Sequence, residues 1–220
     1  MKALVFDSSA IISLALNDLL FILPPLKKIF DGEFYISEVI EYELVERPQK
    51  VKKFMLEALM IKKLIDEGVI KVKADNLIKK QTKVFLDIAN NTFKANSEGI
   101  KIIHEGEASC LALYNFLPAE KKAIVVDERT LRMLCENPGN LHKLLENKLH
   151  RKIHANEMNY NFFRRFNIIR STELAYMAHK NGIIRLPANP QKAIEAIFYA
   201  LKYKGCSISH IEIKEAKNLI

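Results

Sequence analysis

Two short apolar runs in this chain each end on an aspartate. One is Ala3-Leu4-Val5-Phe6-Asp7, followed by Ser8-Ser9; the other is Ala123-Ile124-Val125-Val126-Asp127, followed by Glu128-Arg129. A β-branched run of this length that passes directly into helix-like sequence is expected as a buried strand of a parallel sheet. In open α/β sheets the functional crevice lies at the carboxyl ends of the strands. Two aspartates at two such ends could face one pocket. Carboxylates gathered in a pocket repel one another unless a cation neutralises them, so the pattern points to a divalent metal site.

The rest of the chain keeps the same alternation. Ala10–Leu16 is expected as a short buried helix, Pro24-Pro25 can open another through Phe30, and Asp31-Gly32 is a turn. Phe34-Tyr35-Ile36 is a second strand, and Ser37 caps a helix from Glu38 to Glu46 that Arg47-Pro48 ends. Phe54, Leu56, Leu59, Met60 and Leu64 keep an approximate helical period up to a stop at Gly68. Val69-Ile70-Lys71-Val72 is extended, and a longer helix runs from about Asp75 to Ala95. A helix from Glu107 to Phe116, the strand Ala123–Val126, a helix over Leu131–Cys135 and a break at Pro138-Gly139 follow. Leu141 to Phe166 reads as basic helices and Ile168-Ile169-Arg170 as a strand. Ser171 is the expected cap of a helix Thr172–Asn181, with Gly182 at its C′ position. Two last helices cover about Pro190–Tyr203 and Ser207–Asn218. The alternation predicts a three-layer α/β/α fold with a central parallel sheet. Residues 1–220 form a single domain, with 47–103 as a largely helical insertion and 137–166 as a helical basic expansion.

With 220 residues, 49% of them apolar, one large core is within reach. No apolar run approaches a membrane span, and the opening Met1–Asp7 is cut too early to act as a secretion signal. No membrane partner is expected. Cys110, Cys135 and Cys206 are far apart and odd in number, which suits buried free thiols in a reducing cytoplasm. The net charge of +8 is compatible with a polyanion partner, and basic residues gather between Arg47 and Lys80 and between Lys143 and Arg170. Solvated helix faces explain such runs equally well.

Four acids stand at element ends: Asp7, Glu43 within Ile40-Glu41-Tyr42-Glu43-Leu44, Glu107 within His104-Glu105-Gly106-Glu107-Ala108, and Asp127. Taken singly, Asp7 and Asp127 are explained as helix caps, Glu107 as a complement to a helix dipole, and Glu43 as a solvated helix position. Taken in order, VFDSSAII, ISEVIEYELV, HEGEASCLAL and IVVDERTLRML resemble the successive motifs of the PIN-domain nucleases. IIRSTELAYMAHKNGII is similar to the last strand and helix of such domains. The resemblance covers about Met1–Glu46, His104–Glu136 and Asn167 to the C-terminus.

That resemblance implies a PIN-like α/β/α domain in which Asp7, Glu43, Glu107 and Asp127 hold Mg²⁺ or Mn²⁺ and support hydrolysis of phosphodiester bonds, most often in single-stranded RNA. Ser8 or Ser9 matches the small hydroxyl that the family often places beside the first acid. Glu41 points to another helix face, while Glu105 and Glu128 would stand behind the four acids or at the surface. Mg²⁺ prefers oxygen ligands, usually a few carboxylates with waters and substrate phosphate, which suits this set. The resemblance also implies partners: RNA, an antitoxin protein if the chain is the RNase of a toxin–antitoxin pair, and a second copy in a homodimer. The alternatives are the toxin RNase of such a pair and a non-catalytic PIN-like RNA-binding or assembly protein.

The chain is longer than the compact PIN toxins, and both added stretches are basic. Lys52, Lys53, Arg164 and Arg165 are candidates to flank the acids and hold an RNA backbone, with Tyr160, Phe162 and Phe163 offering stacking. Burial of those aromatics in the core is the competing reading. His104-Glu105-Gly106-Glu107-Ala108 lacks the second histidine of a zincin, and no P-loop, GxGxxG or GxSxG is present.

Overall fold

The computed structural model describes residues 1–217. β1 (Lys2–Phe6) leads into α1 (Ser8–Leu16), and a 3₁₀ turn at Leu20–Ile22 leads into α2 (Leu23–Phe30), β2 (Glu33–Ser37) and α3 (Glu38–Glu41). Ser37 caps α3, its hydroxyl accepting from Ile40 N–H at 3.2 Å. The helix does not end at Arg47-Pro48. It widens into a π turn at Tyr42–Glu46, closed by Arg47 N–H on the Tyr42 carbonyl, and continues as α4 (Arg47–Gln49). Pro48 falls in the first turn of α4, where a missing N–H costs least.

A 3₁₀ turn at Lys52–Phe54 precedes α5 (Met55–Asp66), β3 (Ile70–Lys73), α6 (Asn76–Asn90), β4 (Phe93–Ala95) and β5 (Glu98–Gly99). Then come α7 (Glu105–Phe116), β6 (Lys121–Val125), α8 (Arg129–Glu136), α9 (Pro138–Leu149), β7 (His154–Ala155) and α10 (Met158–Phe163). The chain finishes with β8 (Ile168–Ile169), α11 (Ser171–Lys180), α12 (Pro190–Tyr203) and α13 (His210–Lys217). The last helix thus begins three residues after Ser207, and Asn218 lies outside the described residues.

Five strands form the central sheet in the order β3-β2-β1-β6-β8, with every pair parallel. Helices cover both faces, giving the three-layer α/β/α arrangement that the apolar runs predict. The chain steps outward from β1 to β3, then returns to the far side of β1 with β6. The strand order therefore reverses between β1 and β6, the place where sheets of this kind open a crevice.

Residues 47–103 do more than decorate this core. They supply β3 to the sheet edge and α6, which packs along α7. The expected helix to Ala95 stops at Asn90; Phe93–Ala95 form β4 instead, and Asn96 and Ser97, at positive φ (49° and 70°), turn it back on β5 as a hairpin. β7 pairs with the other edge of β4, joining the 93–99 and 154–155 segments in a small antiparallel sheet. The three cysteines are free and buried. Among the described residues no single helix is long and apolar enough to cross a membrane.

Candidate active site

Asp7 is both a helix cap and a pocket residue. Its carboxylate accepts from Ser9 N–H at 3.0 Å and from the Ser9 hydroxyl, which fixes the start of α1. The Ser9 oxygen in turn accepts from Asp127 N–H (3.0 Å) and Glu128 N–H (3.3 Å). One hydroxyl, with its donor and both acceptor sites used, thus ties the end of β1 to the chain leaving β6. Beneath Asp7, the Cys110 thiol lies 3.6 Å from the Phe6 carbonyl and 3.9 Å from Oδ1 of Asp7. Burial first, then the neighbouring acids, keeps that thiol protonated.

Glu43 arrives on the π turn, a local widening often found where a helix must aim a functional side chain. Glu107 lies in the first turn of α7, its carboxylate accepting from His104 N–H at 2.5 Å; the helix begins at Glu105, two residues before the expected start. Glu128 caps α8, accepting from Thr130 N–H (2.5 Å), the Thr130 hydroxyl (2.8 Å) and Leu131 N–H (2.9 Å). Asp7, Glu43, Glu107 and Glu128, together with Ser8, Ser9 and His104, line one cavity of about 270 Å³.

The crowding shows in the proton affinities. Burial pushes Asp7 up to about 6, with Glu43 and Glu128 adding to the rise against the lowering bonds from Ser9. Burial pushes Glu107 up to about 8, opposed by the His104 amide and reinforced by Asp7, Glu128 and Glu43. These acids favour a positive partner, whether proton or cation.

Gly106 makes room for the quartet. A Cβ there would stand 2.9 and 3.0 Å from the two carboxylate oxygens of Glu43 and 3.2 Å from Cδ1 of Ile40. Gly106→Ala is expected to leave the melting temperature within a few degrees, since the closest atoms end a flexible side chain and alanine favours the helix. It is expected to displace the Glu43 carboxylate, so that Mn²⁺ added to the two proteins would bind the variant roughly tenfold more weakly at a site built on these acids. Calorimetric titration of both proteins checks this.

Asp127 does not join the other acids. The β1–β6 register pairs Phe6 with Val125, so one step further sets Asp7 level with Val126. Side chains alternate along a strand, so Asp127 faces the opposite side and Glu128 returns to the side of Asp7. Fully buried, Asp127 accepts from Ser171 N–H at 2.8 Å and from the Ser171 hydroxyl at 2.6 Å. Ser171 is therefore the first residue of α11 and not its cap. Arg170 occupies the cap position, its N–H bonded to Glu173 at 2.8 Å. Asp127 is a strut between β6 and α11. Glu128, which the sequence suggests as a backing or surface residue, takes its place in the cavity.

The basic residues divide. Lys52 and Lys53 sit on the exposed turn beside Phe54, which lines a groove next to the cavity. Arg165 lies near Lys122, whose pKa is lowered by burial and then by Arg165. Lys122 is at the start of β6, so Arg165 and its neighbour Arg164 stand at the opposite end of the strand from Glu128, roughly 15–20 Å away. They do not flank the acids. Nor do the aromatics offer stacking faces. Tyr160 and Phe163 are buried, Phe162 packs 5.2 Å from Phe85, and the Arg165 guanidinium covers Phe162 at 4.5 Å.

Comparison with protein-family models, with curated proteins and with solved structures returned no match. Among the described residues, no group of three or more His, Cys, Asp or Glu side chains is arranged to hold a metal ion as it stands. Asp7, Glu107 and Glu128 each accept from a backbone N–H near a helix start.

Proposed function

We propose that the chain is a PIN-type nuclease of the cytoplasm that uses Mg²⁺ or Mn²⁺ to hydrolyse phosphodiester bonds in single-stranded RNA. The observation that carries this reading is the convergence of Asp7, Glu43, Glu107 and Glu128, from four separate parts of the chain, on one cavity at the reversal of strand order. An all-carboxylate set suits a hard divalent cation, and burial, with the neighbouring acids adding to it, raises the pKa of Asp7 and Glu107, which favours a positive partner. The four residues would hold the ion once the oxygens of Asp7, Glu107 and Glu128 turn from the helix starts toward Glu43 in the cavity. When bound, such an ion supplies charge for the scissile phosphate and acidifies a water.

The chain's own residues set the conditions for that chemistry. Ser9 fixes Asp7 and the β6 exit together, so two of the acids keep a constant separation. Glu43 and Glu107 come from different helices, and Gly106 lets those helices approach. At neutral pH a proton rests on Glu107, and cation binding displaces it. The affinity for Mn²⁺ should therefore rise on the order of tenfold per pH unit between pH 6.5 and 7.5. Titration calorimetry at several pH values checks this, and a flat pH dependence would count against a site at these acids. The direct test is cleavage of single-stranded RNA with Mn²⁺ or Mg²⁺, comparing wild type with Asp7→Asn.

A further inference from the structure

Beside the carboxylate cavity lies a second hollow of about 320 Å³, and Ile12 and Glu43 line both. Its walls are apolar, built from Leu16, Leu44, Pro48, Phe54 and Ile61, apart from two carboxylates, the shared Glu43 and Glu57. Glu57 belongs to this hollow alone, and its Oε2 is buried without a hydrogen-bond partner. A carboxylate oxygen buried without a donor is costly, and a ligand bringing N–H or O–H groups to it relieves that cost. Phe54 is 41% exposed and offers a flat wall. Lys53 Nζ lies 5.1 Å from the centroid of its ring, and Lys52 precedes it on the same turn. An aromatic wall, a donor-hungry carboxylate and two lysines describe a site for a nucleotide whose base edge presents paired donors.

We propose that this groove receives a guanine base of the RNA, stacked on Phe54 with its N1–H and N2–H donated to the Glu57 carboxylate. Guanine alone among the four bases presents two adjacent donors on that edge. Adenine and cytosine each set an acceptor beside their amino group, and uracil has a single N–H between two carbonyls. Lys52 and Lys53 would meet the phosphates, and the shared wall at Ile12 and Glu43 places the next phosphodiester toward the four acids. The inference rests on the nuclease reading for its substrate, but its binding site is tested without catalysis.

The experiment uses GMP, AMP, CMP and UMP, equal in phosphate charge, titrated without divalent cation into ¹⁵N-labelled full-length protein. GMP is expected to shift the amides of Phe54–Ile61 and to bind at least tenfold tighter than the other three. Glu57→Gln should fold as wild type, seen in the unperturbed remainder of its spectrum, and lose the preference, because an amide offers one acceptor and one donor. Phe54→Leu should weaken all four nucleotides. Equal binding of the four, or GMP shifts outside the groove, overturns the proposal. Cleavage mapping on a mixed-sequence RNA with Mn²⁺ separates the two readings. Cuts beside guanine that lose this bias in Glu57→Gln support both. Cuts indifferent to guanine overturn the groove assignment and leave the nuclease standing. Guanine-selective binding with no cleavage of any RNA overturns the nuclease and leaves the groove a guanine site.

Discussion

Asp7→Asn is expected to lower Mn²⁺-dependent RNA cleavage on the order of 10³-fold while raising the melting temperature at pH 8 in cation-free buffer. The two effects have one cause. Asp7 is buried, and its pKa is raised from 3.8 to about 6 by that burial and by Glu43 and Glu128. A carboxyl whose pKa rises on folding holds its proton more tightly in the native state. Wild type therefore loses stability as pH climbs from about 4 through 6, by up to about 3 kcal/mol from this group. Asparagine has no proton to lose there, caps a helix as well as aspartate does, and can still accept from Ser9 N–H. The stability difference between variant and wild type should fade toward pH 4 and be largest at pH 8. Thermal melts across that range measure it, beside cleavage assays on the same preparations. A variant that melts lower than wild type at pH 8 would show that Asp7 serves the fold as a charged group. Unchanged cleavage would remove Asp7 from the chemistry.

Four of the five sheet strands were legible because each is a short apolar run with a helix behind it, whereas Val69–Val72 was legible as an extended piece but not as the sheet edge, since its partner β2 lies far away in sequence. Asp7, Glu43 and Glu107 were legible by position, at a strand end and within helix-forming segments. What stayed hidden depends on contacts between distant residues. The offset that sets Asp7 level with Val126 is a matter of register, which two similar apolar runs do not specify. Aligned by their ends, the runs nominate Asp127; paired as they are, they bring Glu128 to the site. The π turn at Tyr42–Glu46 was equally unreadable, because Tyr42-Glu43-Leu44-Val45-Glu46 carries no local pattern that separates it from an ordinary helical run. β4, β5 and β7 are only two or three residues long, too short to leave a periodic signal, although Asn96-Ser97 carries a hairpin hint. Arg164 and Arg165 looked suited to RNA by charge and by the aromatics beside them, which say nothing about the end of the sheet on which they stand.

The exchange of roles between Asp127 and Glu128 gives the second large expected effect. Asp127→Ala should lower stability by about 3 kcal/mol, because it strips Ser171 N–H and the Ser171 hydroxyl of their buried acceptor at the start of α11. In a domain of this size that is a fall of roughly 6–12 °C in melting temperature. Asp127→Asn should be far milder. An amide oxygen can still accept from Ser171 N–H, and its NH₂ can donate to the hydroxyl, which rotates to accept. Cleavage by Asp127→Asn should stay within about threefold of wild type, since the residue faces away from the cavity. Glu128→Gln reverses the pattern. Its amide oxygen keeps part of the α8 cap, so the melting temperature should move by only a few degrees. Cleavage should fall by about a hundredfold or more, because a neutral amide neither attracts a cation nor keeps the quartet's charge. Measured together, the two isosteric variants decide between the residues. Loss of cleavage in Asp127→Asn at unchanged stability, with Glu128→Gln fully active, would return the fourth acid to Asp127 and require the chain leaving β6 to shift by one residue when the site is loaded.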